Sequence, residues 1–216
     1  MSMAPSYRTN PVRGPVNAAF FTVMDRYLDN LLRPRKRAVF ADLPDEVLEL
    51  GSGVGANFRY LRSGARVIAV EPNTAMHPGL RRRAERQGID LDLRGIVGES
   101  LDVGDGTADA VISSLVLCTV EDPARVVSEV LRVLRPGGRY AFVEHVAAPQ
   151  GTALRRAQAA VRRPWAWFFE GCSCERDLRA TIEGAGFART EIESYRLRSP
   201  FLPFNTQIAG VALKAA

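Results

Sequence analysis

"VLELGSGVGAN" at residues 47–57 joins a short apolar run directly to a glycine-rich turn. Such a turn, placed between a strand and a helix, presents free backbone amides and lets a ligand approach the chain closely. A second apolar run, "RVIAVE" at residues 66–71, ends in Glu71. A carboxylate about twenty residues beyond the first glycine suits the two hydroxyls of a ribose. The stretch therefore predicts a strand, a turn and a helix that bind an adenine nucleoside.

Strands and helices alternate through most of the chain. Predicted strands occupy residues 47–50, 66–71, 90–97, 109–120 and 139–146, with two last antiparallel strands near residues 190–197 and 206–213. Predicted helices occupy residues 74–87, 121–138 and 174–184. In the second of these helices Asp122 suits the N-cap and Pro123 suits the first helical position. The alternation predicts an α/β fold on a doubly wound, mostly parallel sheet with helices on both faces.

The N-terminal residues follow a different pattern. Residues 1–15 contain three prolines and are predicted to form an irregular arm. A helix is predicted over residues 16–32. Its expected buried stripe consists of four apolar side chains: Phe20, Met24, Tyr27 and Leu31. Pro34 is expected to end this helix, and a short second helix is expected over residues 36–43.

Composition limits the class of protein. With 216 residues, 46% of them hydrophobic and 25% charged, the chain is long enough for one well-buried α/β domain. No apolar run approaches the roughly 18–20 residues of a membrane-spanning helix. An odd count of three cysteines, and an N-terminus without a signal-peptide pattern, predict a cytoplasmic protein without a disulfide framework.

The net charge of +5 keeps a nucleic-acid-binding protein as a hypothesis from another class. Basic side chains are clustered in three places: residues 33–37, 81–86 and 155–163. No aromatic-plus-basic recognition motif accompanies these clusters, so solvated helix faces are the favoured interpretation. A steep loss of binding with salt would support the nucleic-acid hypothesis.

The glycine turn fits two cofactors. Gly51, Gly53 and Ala56 match the degenerate pattern G-x-G-x-x-[G/A], which keeps a nicotinamide oxidoreductase open. Glu49, however, places a carboxylate against the turn, where it would oppose a pyrophosphate and suit a cofactor with a sulfonium and an ammonium. Residues 98–100, Gly-Glu-Ser, can supply polar contacts to an adenine edge. The residues therefore favour S-adenosyl-L-methionine.

These motifs resemble a known family. Glu49-x-Gly51-x-Gly53-x-Gly55, Glu71 and "LRVLRPGGRYAFVEHV" look like class I S-adenosylmethionine-dependent methyltransferases. The sequence is most similar to the methyltransferase-like 7 group of thiol methyltransferases. The similar stretches are GANF at 55–58, EPN at 71–73, SLVLCTV at 114–120, LRPGG…EHVAA at 134–148 and EGCS…R at 170–176. The resemblance implies a seven-stranded, Rossmann-like sheet with a reversed last strand, and methyl transfer to small thiols.

The resemblance also implies roles for individual residues. Glu71 would hold the ribose, Glu99 and Ser100 would flank the adenine, and Leu115 would lie near the methionine moiety. The expected cofactor-binding residues are Glu49, Gly51, Ser52, Gly53, Gly55, Asn57, Glu71, Pro72, Asn73, Glu99, Ser100 and Leu115. Animal members carry an N-terminal hydrophobic anchor that this sequence does not show, which agrees with the cytoplasmic expectation.

The chain is divided on this basis into two parts. Residues 1–43 are expected to form an N-terminal arm and helices that cover the site. Residues 44–216 are expected to form the S-adenosylmethionine-binding methyltransferase domain, with a lid or substrate segment at about 147–175.

His145 is the candidate catalytic residue, because it ends a predicted strand at the edge where the sheet opens. A histidine suits general-base catalysis near neutral pH. A structural histidine that hydrogen-bonds a loop backbone is the alternative. Glu144 either orients His145 or faces away, since adjacent strand residues point to opposite faces.

The stretch "PWAWFFEGCSC" at residues 164–174 allows three interpretations. The three cysteines and His145 could supply four zinc ligands, but C-x-C matches the usual spacing poorly, so we predict no metal. Cys174 would be a reactive thiol if Ser173 capped a helix and placed it in the first turn. The favoured interpretation is apolar cover, including Phe169, that shields the reacting sulfur from water. The predicted substrate pocket comprises Cys118, Trp165, Trp167, Phe168 and Cys172.

The sequence thus predicts an enzyme that methylates the sulfur of small, fairly apolar thiol or dithiol metabolites with S-adenosyl-L-methionine. The alternative is a small-molecule O- or C-methyltransferase on a phenolic or quinone-like acceptor. A phenol has a pKa near 10, about 1.5 units above that of a thiol, so that alternative asks more of a base.

Overall fold

Seven strands form one sheet in the computed structural model, which describes residues 12–216. The strands are β1 (Glu46–Leu50), β2 (Arg66–Val70), β3 (Asp90–Arg94), β4 (Ala108–Ser114), β5 (Leu134–His145), β6 (Arg189–Arg196) and β7 (Thr206–Leu213). Their order across the sheet is β3-β2-β1-β4-β5-β7-β6. Neighbours from β3 to β5 are parallel, and β7 runs antiparallel to both β5 and β6. The predicted fold class is confirmed.

Five α-helices connect these strands in the described part of the chain. They are α1 (Arg13–Val39), α2 (His77–Gln87), α3 (Pro123–Val133), α4 (Ala153–Phe168) and α5 (Leu178–Glu183). Short 3-10 helices occupy Ala56–Tyr60 and Leu202–Phe204. At the start of α3 the side chain of Asp122 accepts a hydrogen bond from the amide of Arg125, as its predicted N-cap role requires. The helix ends at Val133, earlier than predicted, because β5 begins at once with Leu134.

The N-terminal helix differs from its prediction in two ways. It is one helix to Val39, with Pro34 inside it, so the predicted break and second helix are wrong. Pro34 is exposed, while Leu32 and Lys36 on either side are buried. Burial of that face outweighs the roughly 3 kcal/mol that an internal proline costs. Residues 1–11 of the predicted arm lie outside the described residues.

The buried stripe of α1 is polar, which the prediction missed. The expected apolar side chains are half-buried, and Tyr27 is exposed. The buried positions are instead Gly14, Asn17, Asp25, Asp29, Leu32 and Lys36. Polar groups are buried when they find hydrogen-bond partners, so this face must meet other polar groups of the fold.

The segment between β5 and β6 also differs from its prediction. A helix, α4, occupies most of the predicted lid or substrate segment at about 147–175, for which no helix bounds were predicted. Asp177, and not Ser173, caps α5 by accepting a hydrogen bond from the amide of Ala180. Cys174 therefore precedes the helix and is not in its first turn. The other boundaries are closer, although β3 and β4 end several residues before the predicted positions.

The fold directs several loops to one edge of the sheet. Because β1 pairs with both β2 and β4, the chain crosses the sheet in opposite directions from β1, which creates the switch point where α/β sheets bind ligands. The loops after β1, β2, β4 and β5 all emerge there. Within residues 12–216, no helix is both long enough and apolar enough to cross a lipid bilayer.

Candidate active site

A cavity lies at the carboxyl ends of β1, β2, β4 and β5, next to the buried face of α1. Predicted site residues that line it are Gly51, Ser52, Gly53, Asn57, Glu71, Pro72, Glu99, Leu115, Cys118, His145, Trp165 and Cys172. Six predicted site residues are not among the described residues that line it: Glu49, Gly55, Asn73, Ser100, Trp167 and Phe168. The cavity therefore joins the predicted cofactor loop to the predicted acceptor residues.

The glycine loop forms one wall. Gly51 and Gly53 have φ angles of 57° and 55°, in the left-handed region that favours glycine. A Cβ on Gly51 would lie 2.5 Å from Cγ2 of Val116, so a larger residue does not fit there. At Gly53 a Cβ would meet only the carbonyl oxygen of Gly51, at 3.9 Å, so the space above this residue is open.

Glu71 fixes the position of this loop. Its Oε2 accepts a hydrogen bond from the amide of Gly53 at 2.8 Å, and its Oε1 accepts one from the amide of Asn73 at 2.8 Å. Burial raises the pKa of Glu71 to about 7. Asn73 itself lies behind the wall, where its side chain donates hydrogen bonds to Gly14 and Glu170 and joins the loop after β2 to α1.

Glu49 lies behind the loop. It is fully buried, and its Oε1 accepts a hydrogen bond from Nδ2 of Asn57 at 2.7 Å. The ammonium of Lys36 donates to Oδ1 of the same asparagine at 2.7 Å. Burial raises the pKa of Glu49 to about 7 and lowers that of Lys36 to about 8. Asn57 thus links a carboxyl group of β1 to the polar face of α1.

Two more carboxylates of α1 line the cavity, Asp25 and Asp29. Oδ2 of Asp25 accepts hydrogen bonds from Arg59 at 2.5 Å and from Arg83 at 2.9 Å. Its Oδ1 is buried and has no hydrogen-bond partner among the described residues. Burial raises the pKa of Asp29, but hydrogen bonds from Tyr60 and neighbouring arginines outweigh it, so the pKa lies below its usual value. Arginines pair with both carboxylates, so the unpartnered Oδ1 of Asp25 is the acceptor that this wall offers to the cavity.

The loop after β4 forms the opposite wall. Leu115 lines the cavity with a φ of 63°, which costs a side-chain-bearing residue of order 1 kcal/mol or more. Glu144 holds this loop, since its carboxylate accepts hydrogen bonds from the amides of Val116 and Leu117 at 2.9 and 3.1 Å. Glu144 thus faces the loop and does not hydrogen-bond His145. Burial raises the pKa of Glu144 to about 7.

The predicted adenine contacts are separated. Glu99 lines the cavity, and its Oε1 accepts a hydrogen bond from the amide of Glu121 at 2.8 Å. Ser100 is exposed and is not among the described lining residues. Gly55 has φ 79° and packs against Leu80 and Phe58, so its place is set by packing within the protein.

Two cysteines and a histidine meet at the far end of the cavity. Nε2 of His145 lies 2.9 Å from Sγ of Cys172, and Nε1 of Trp165 donates a hydrogen bond to the same sulfur at 3.3 Å. The amide of Ser173 donates to the carbonyl oxygen of Cys118 at 2.7 Å, which joins the two cysteine loops. Burial, and then the neighbouring Cys172, raise the pKa of the Cys118 thiol.

Aromatic side chains cover this end. The rings of Trp165 and Phe169 lie 4.4 Å apart, and both line the cavity. Trp167 is 65% exposed, so it does not take the pocket position that the sequence predicts. Phe168 packs against Phe169 and Phe20 on the outer side of the cover.

Cys174 lies apart from the other two cysteines in its contacts. Its thiol donates a hydrogen bond to the carbonyl oxygen of Gln158 at 3.6 Å. Burial raises the pKa of Cys174, which opposes the thiolate that the reactive-thiol interpretation requires. That interpretation is wrong, because α5 begins after Cys174 and its N-terminus does not act on it.

The lining residues that sequence reasoning missed include two sets from outside the predicted loops. The first is the polar face of α1: Asn17, Asp25, Asp29 and Lys36. Their spacing of eight, four and seven residues places them on one helical face, a signal that a search for apolar stripes passes over. The second set, Phe201 and Phe204, follows β6 and carries no motif that would identify it.

Comparisons with known proteins identify the family of this chain. Residues 48–142 match the family model described as "Methyltransferase domain". The chain is 35% identical over 195 residues to thiol S-methyltransferase TMT1B of Mus musculus, covering 85% of this chain and 80% of the relative. It is 33% identical over 192 residues to thiol S-methyltransferase TMT1A of Homo sapiens, covering 83% and 78%.

A solved structure shares the fold at lower identity. The SAM-dependent methyltransferase of Thermotoga maritima superposes with a TM-score of 0.64 at 18% identity, covering 92% of this chain and 94% of that one. At such identity the likeness extends to the fold alone.

Proposed function

Because the chain belongs to the thiol S-methyltransferase family, within the S-adenosylmethionine-dependent methyltransferases, we propose that it methylates the sulfur of small thiol or dithiol metabolites. The observation that carries this proposal is one cavity with two ends. One end has a glycine loop and a buried carboxylate for a nucleoside, and the other has a cluster of Cys118, His145 and Cys172 under aromatic cover. The enzyme is a methyltransferase.

We propose S-adenosyl-L-methionine as the cofactor, since the family uses it and the cavity walls fit its groups. The open space above Gly53 would admit the methionine moiety, with Leu115 beside it. Glu71 would accept the ribose hydroxyls, and Glu99 would lie at the adenine. The unpartnered Oδ1 of Asp25 would receive the ammonium group. The bound cofactor supplies an activated methyl group on a sulfonium.

The acceptor then needs three things from the protein: a position in line with the methyl group, exclusion of water, and loss of its proton. Positioning alone contributes roughly 7–11 kcal/mol. A free thiol with a pKa near 8.5 is only a few per cent ionised at neutral pH. Lowering that pKa by about 1.5 units corresponds to about 2 kcal/mol. We propose that His145 assists the loss of this proton and that Trp165 and Phe169 exclude water.

The other elements of the proposal concern the surroundings of the site. We propose that residues 12–43, the described part of the predicted N-terminal segment over residues 1–43, cover the cavity of the domain over residues 44–216. α1 supports this, because four of its polar residues line the cavity. We also propose a cytoplasmic location, since all three cysteines are free thiols, as a reducing compartment keeps them.

The test measures release of S-adenosylhomocysteine with matched acceptors that differ only in bearing SH or OH. Turnover of the thiols alone is the expected result. Turnover of the hydroxyl acceptors alone would contradict S-methylation and support an O-methyltransferase. If neither series of acceptors is turned over, and the protein binds RNA or DNA in a salt-sensitive way, small-molecule methylation would be contradicted altogether.

A further inference from the structure

Three buried side chains from separate parts of the chain meet at the acceptor end of the cavity. Cys118 follows β4, His145 ends β5 and Cys172 follows α4, and their three ligand atoms lie within 4.8 Å of one another. All three side chains line the cavity. Core packing alone does not explain this cluster of two cysteines and a histidine. Apolar side chains would fill the same space without the free-energy cost of burying an imidazole.

We propose that Cys118, His145 and Cys172 bind a Zn²⁺ ion through three protein ligands and leave its fourth position open to the cavity. Two thiolates and one imidazole form a donor set that selects soft or borderline metals such as zinc. Three protein ligands with one open position distinguish catalytic zinc sites from structural ones, which are closed by four. The proposal rests on the proposed function, because the open position is where the acceptor sulfur would bind.

No metal site was predicted from the sequence, because Cys172 and Cys174 were considered as a pair of ligands. C-x-C is a poor zinc spacing, and the thiol of Cys174 indeed donates to the backbone of Gln158. The ligand set instead joins one cysteine of that segment to the last residue of β5, 27 positions earlier, and to a loop residue 54 positions earlier. Ligands this far apart in the sequence cannot be recognised from a short spacing motif.

Neighbouring hydrogen bonds hold the proposed ligands Cys118 and Cys172 in position. Glu144 fixes the backbone amides of the two residues before Cys118. The amide of Ser173 holds the carbonyl of Cys118, and the indole of Trp165 donates to Sγ of Cys172. Contacts of this kind orient metal ligands, and an N–H donor also stabilises a ligating thiolate.

The distances require a small adjustment. Nε2 of His145 and Sγ of Cys172 lie 2.9 Å apart. A tetrahedral zinc ion would separate them by about 3.5 Å, so the side chains would move apart by less than about 1 Å. Nδ1 of His145 and Oε1 of Gln207, which are opposite in the β5–β7 register, both lack partners among the described residues. The two side chains share one face of the sheet but do not hydrogen-bond each other, so Gln207 would have to turn toward Nδ1 to support a ligating imidazole.

The ion would change how the acceptor ionises. The acceptor R–SH releases its proton to solvent as its sulfur binds the ion, because a coordinating thiol is deprotonated. A sulfur lone pair then forms the bond to the methyl carbon, and the bond between that carbon and the sulfonium sulfur breaks. The products are R–S–CH₃ and S-adenosylhomocysteine, without any change in metal oxidation state. His145 would assist proton loss as a ligand in this route.

The experiment titrates the full-length protein, stripped with a chelator under reducing conditions, with Co²⁺ and then with Zn²⁺. Cobalt reports thiolate ligation by its near-ultraviolet charge-transfer absorption, and zinc should displace it. The Cys172→Ser variant should weaken metal affinity by at least about 100-fold, more than the loss of a supporting contact does. The matched Cys174→Ser variant should bind as the wild type does. Circular dichroism of each variant checks that it is folded, and Cys118→Ser provides a second ligand variant.

Methylation of a small thiol is measured in the same samples. Zinc should raise the rate of the stripped wild type at neutral pH by about tenfold or more. Wild-type protein that shows no thiolate-to-cobalt absorption, or that binds the metal no more tightly than Cys172→Ser, overturns the site. Full thiol turnover in that metal-free state would leave the proposed function intact. Tight cobalt binding with no turnover of any thiol would support the metal site and contradict the proposed function.

Discussion

The carboxylate of Glu71 accepts a hydrogen bond from the backbone amide of Gly53 at 2.8 Å and so joins the end of β2 to the glycine loop. The two residues lie 18 positions apart in the chain and on adjacent parallel strands. One carboxylate therefore shapes the loop and also lines the cavity where a ribose would bind. Its substitution should affect cofactor binding more than any other single change in this wall.

The Glu71→Ala variant should lose about 2 kcal/mol of binding free energy for S-adenosylhomocysteine, or roughly 30-fold in Kd, as expected for a lost hydrogen bond to a charged group. Isothermal titration calorimetry measures this directly. Glu191→Ala is the matched control, since Glu191 is an exposed carboxylate paired with Arg189 on β6. Equal affinities for the two variants would mean that Glu71 shapes the loop without holding the ribose.

Buried carboxyl groups should make the ligand-free protein more stable in mild acid. Burial raises the pKa of Glu49 and of Glu71 from about 4.5 to about 7. Between these values the folded state binds protons that the unfolded state has released, so stability is highest below the window and is lost as pH rises through about 7. Each group contributes a slope of at most about 1.4 kcal/mol per pH unit. Lys36 stays charged in both states across this window.

Urea unfolding at several pH values between about 5 and 8 checks this expectation. The Glu49→Gln variant should show a shallower dependence on pH, because its amide does not titrate. The matched Glu191→Gln variant, which changes an exposed carboxylate, should keep the wild-type dependence. A wild-type stability that rises from pH 5 to 7 would contradict buried carboxyl groups with raised pKa values.

The sequence predicts the sheet well because its signals are local. The run before Gly51, the N-cap of Asp122 and the antiparallel final strands follow from patterns within a few residues, and each is confirmed in the fold. The positions of Gly51, Gly53 and Glu71 in one wall of the cavity were predictable for the same reason, since they come from one loop and the strand that follows. A glycine loop requires particular residues wherever it occurs.

The acceptor end was less predictable because it depends on tertiary contacts. The prediction that Pro34 ends the helix was wrong, because burial of Leu32 and Lys36 keeps this part of α1 helical. The cluster of Cys118, His145 and Cys172 comes from two loops and the end of β5, and only the sheet order brings these parts together. The exposed position of Trp167 depends on the register of α4, a helix whose bounds the sequence did not give.

His145→Ala should lower the rate of thiol methylation most below about pH 8 and approach the wild-type rate at higher pH. The reason is that a free thiol with a pKa near 8.5 ionises by itself in alkaline solution and then needs no assistance. Measurement of kcat/KM from about pH 6 to 9.5 with one small thiol tests this. A loss of equal size at every pH would indicate that His145 positions the acceptor and does not assist its ionisation.

Substitution of the two tryptophans of α4 should have different effects on kcat/KM, although only one residue lies between them. Trp165 lines the cavity, donates a hydrogen bond to Sγ of Cys172 at 3.3 Å and packs against the ring of Phe169, whereas Trp167 is 65% exposed. Trp165→Ala removes apolar surface that would contact an apolar thiol, at roughly 25 cal/mol per Å² of buried area, and admits water to the reacting sulfur. We expect kcat/KM for an apolar thiol to fall by about 10-fold or more, and the loss should shrink for a short polar thiol.

Trp167→Ala is the matched control and should leave kcat/KM within about twofold of the wild-type value, because surface substitutions away from a site have small effects. Steady-state kinetics of both variants with an aromatic thiol and with a short polar thiol make the comparison. Equal losses in the two variants would mean that α4 acts as a whole and does not supply a specific cover. A loss in Trp167→Ala alone would place the acceptor on the outer face of α4, against the cavity described above.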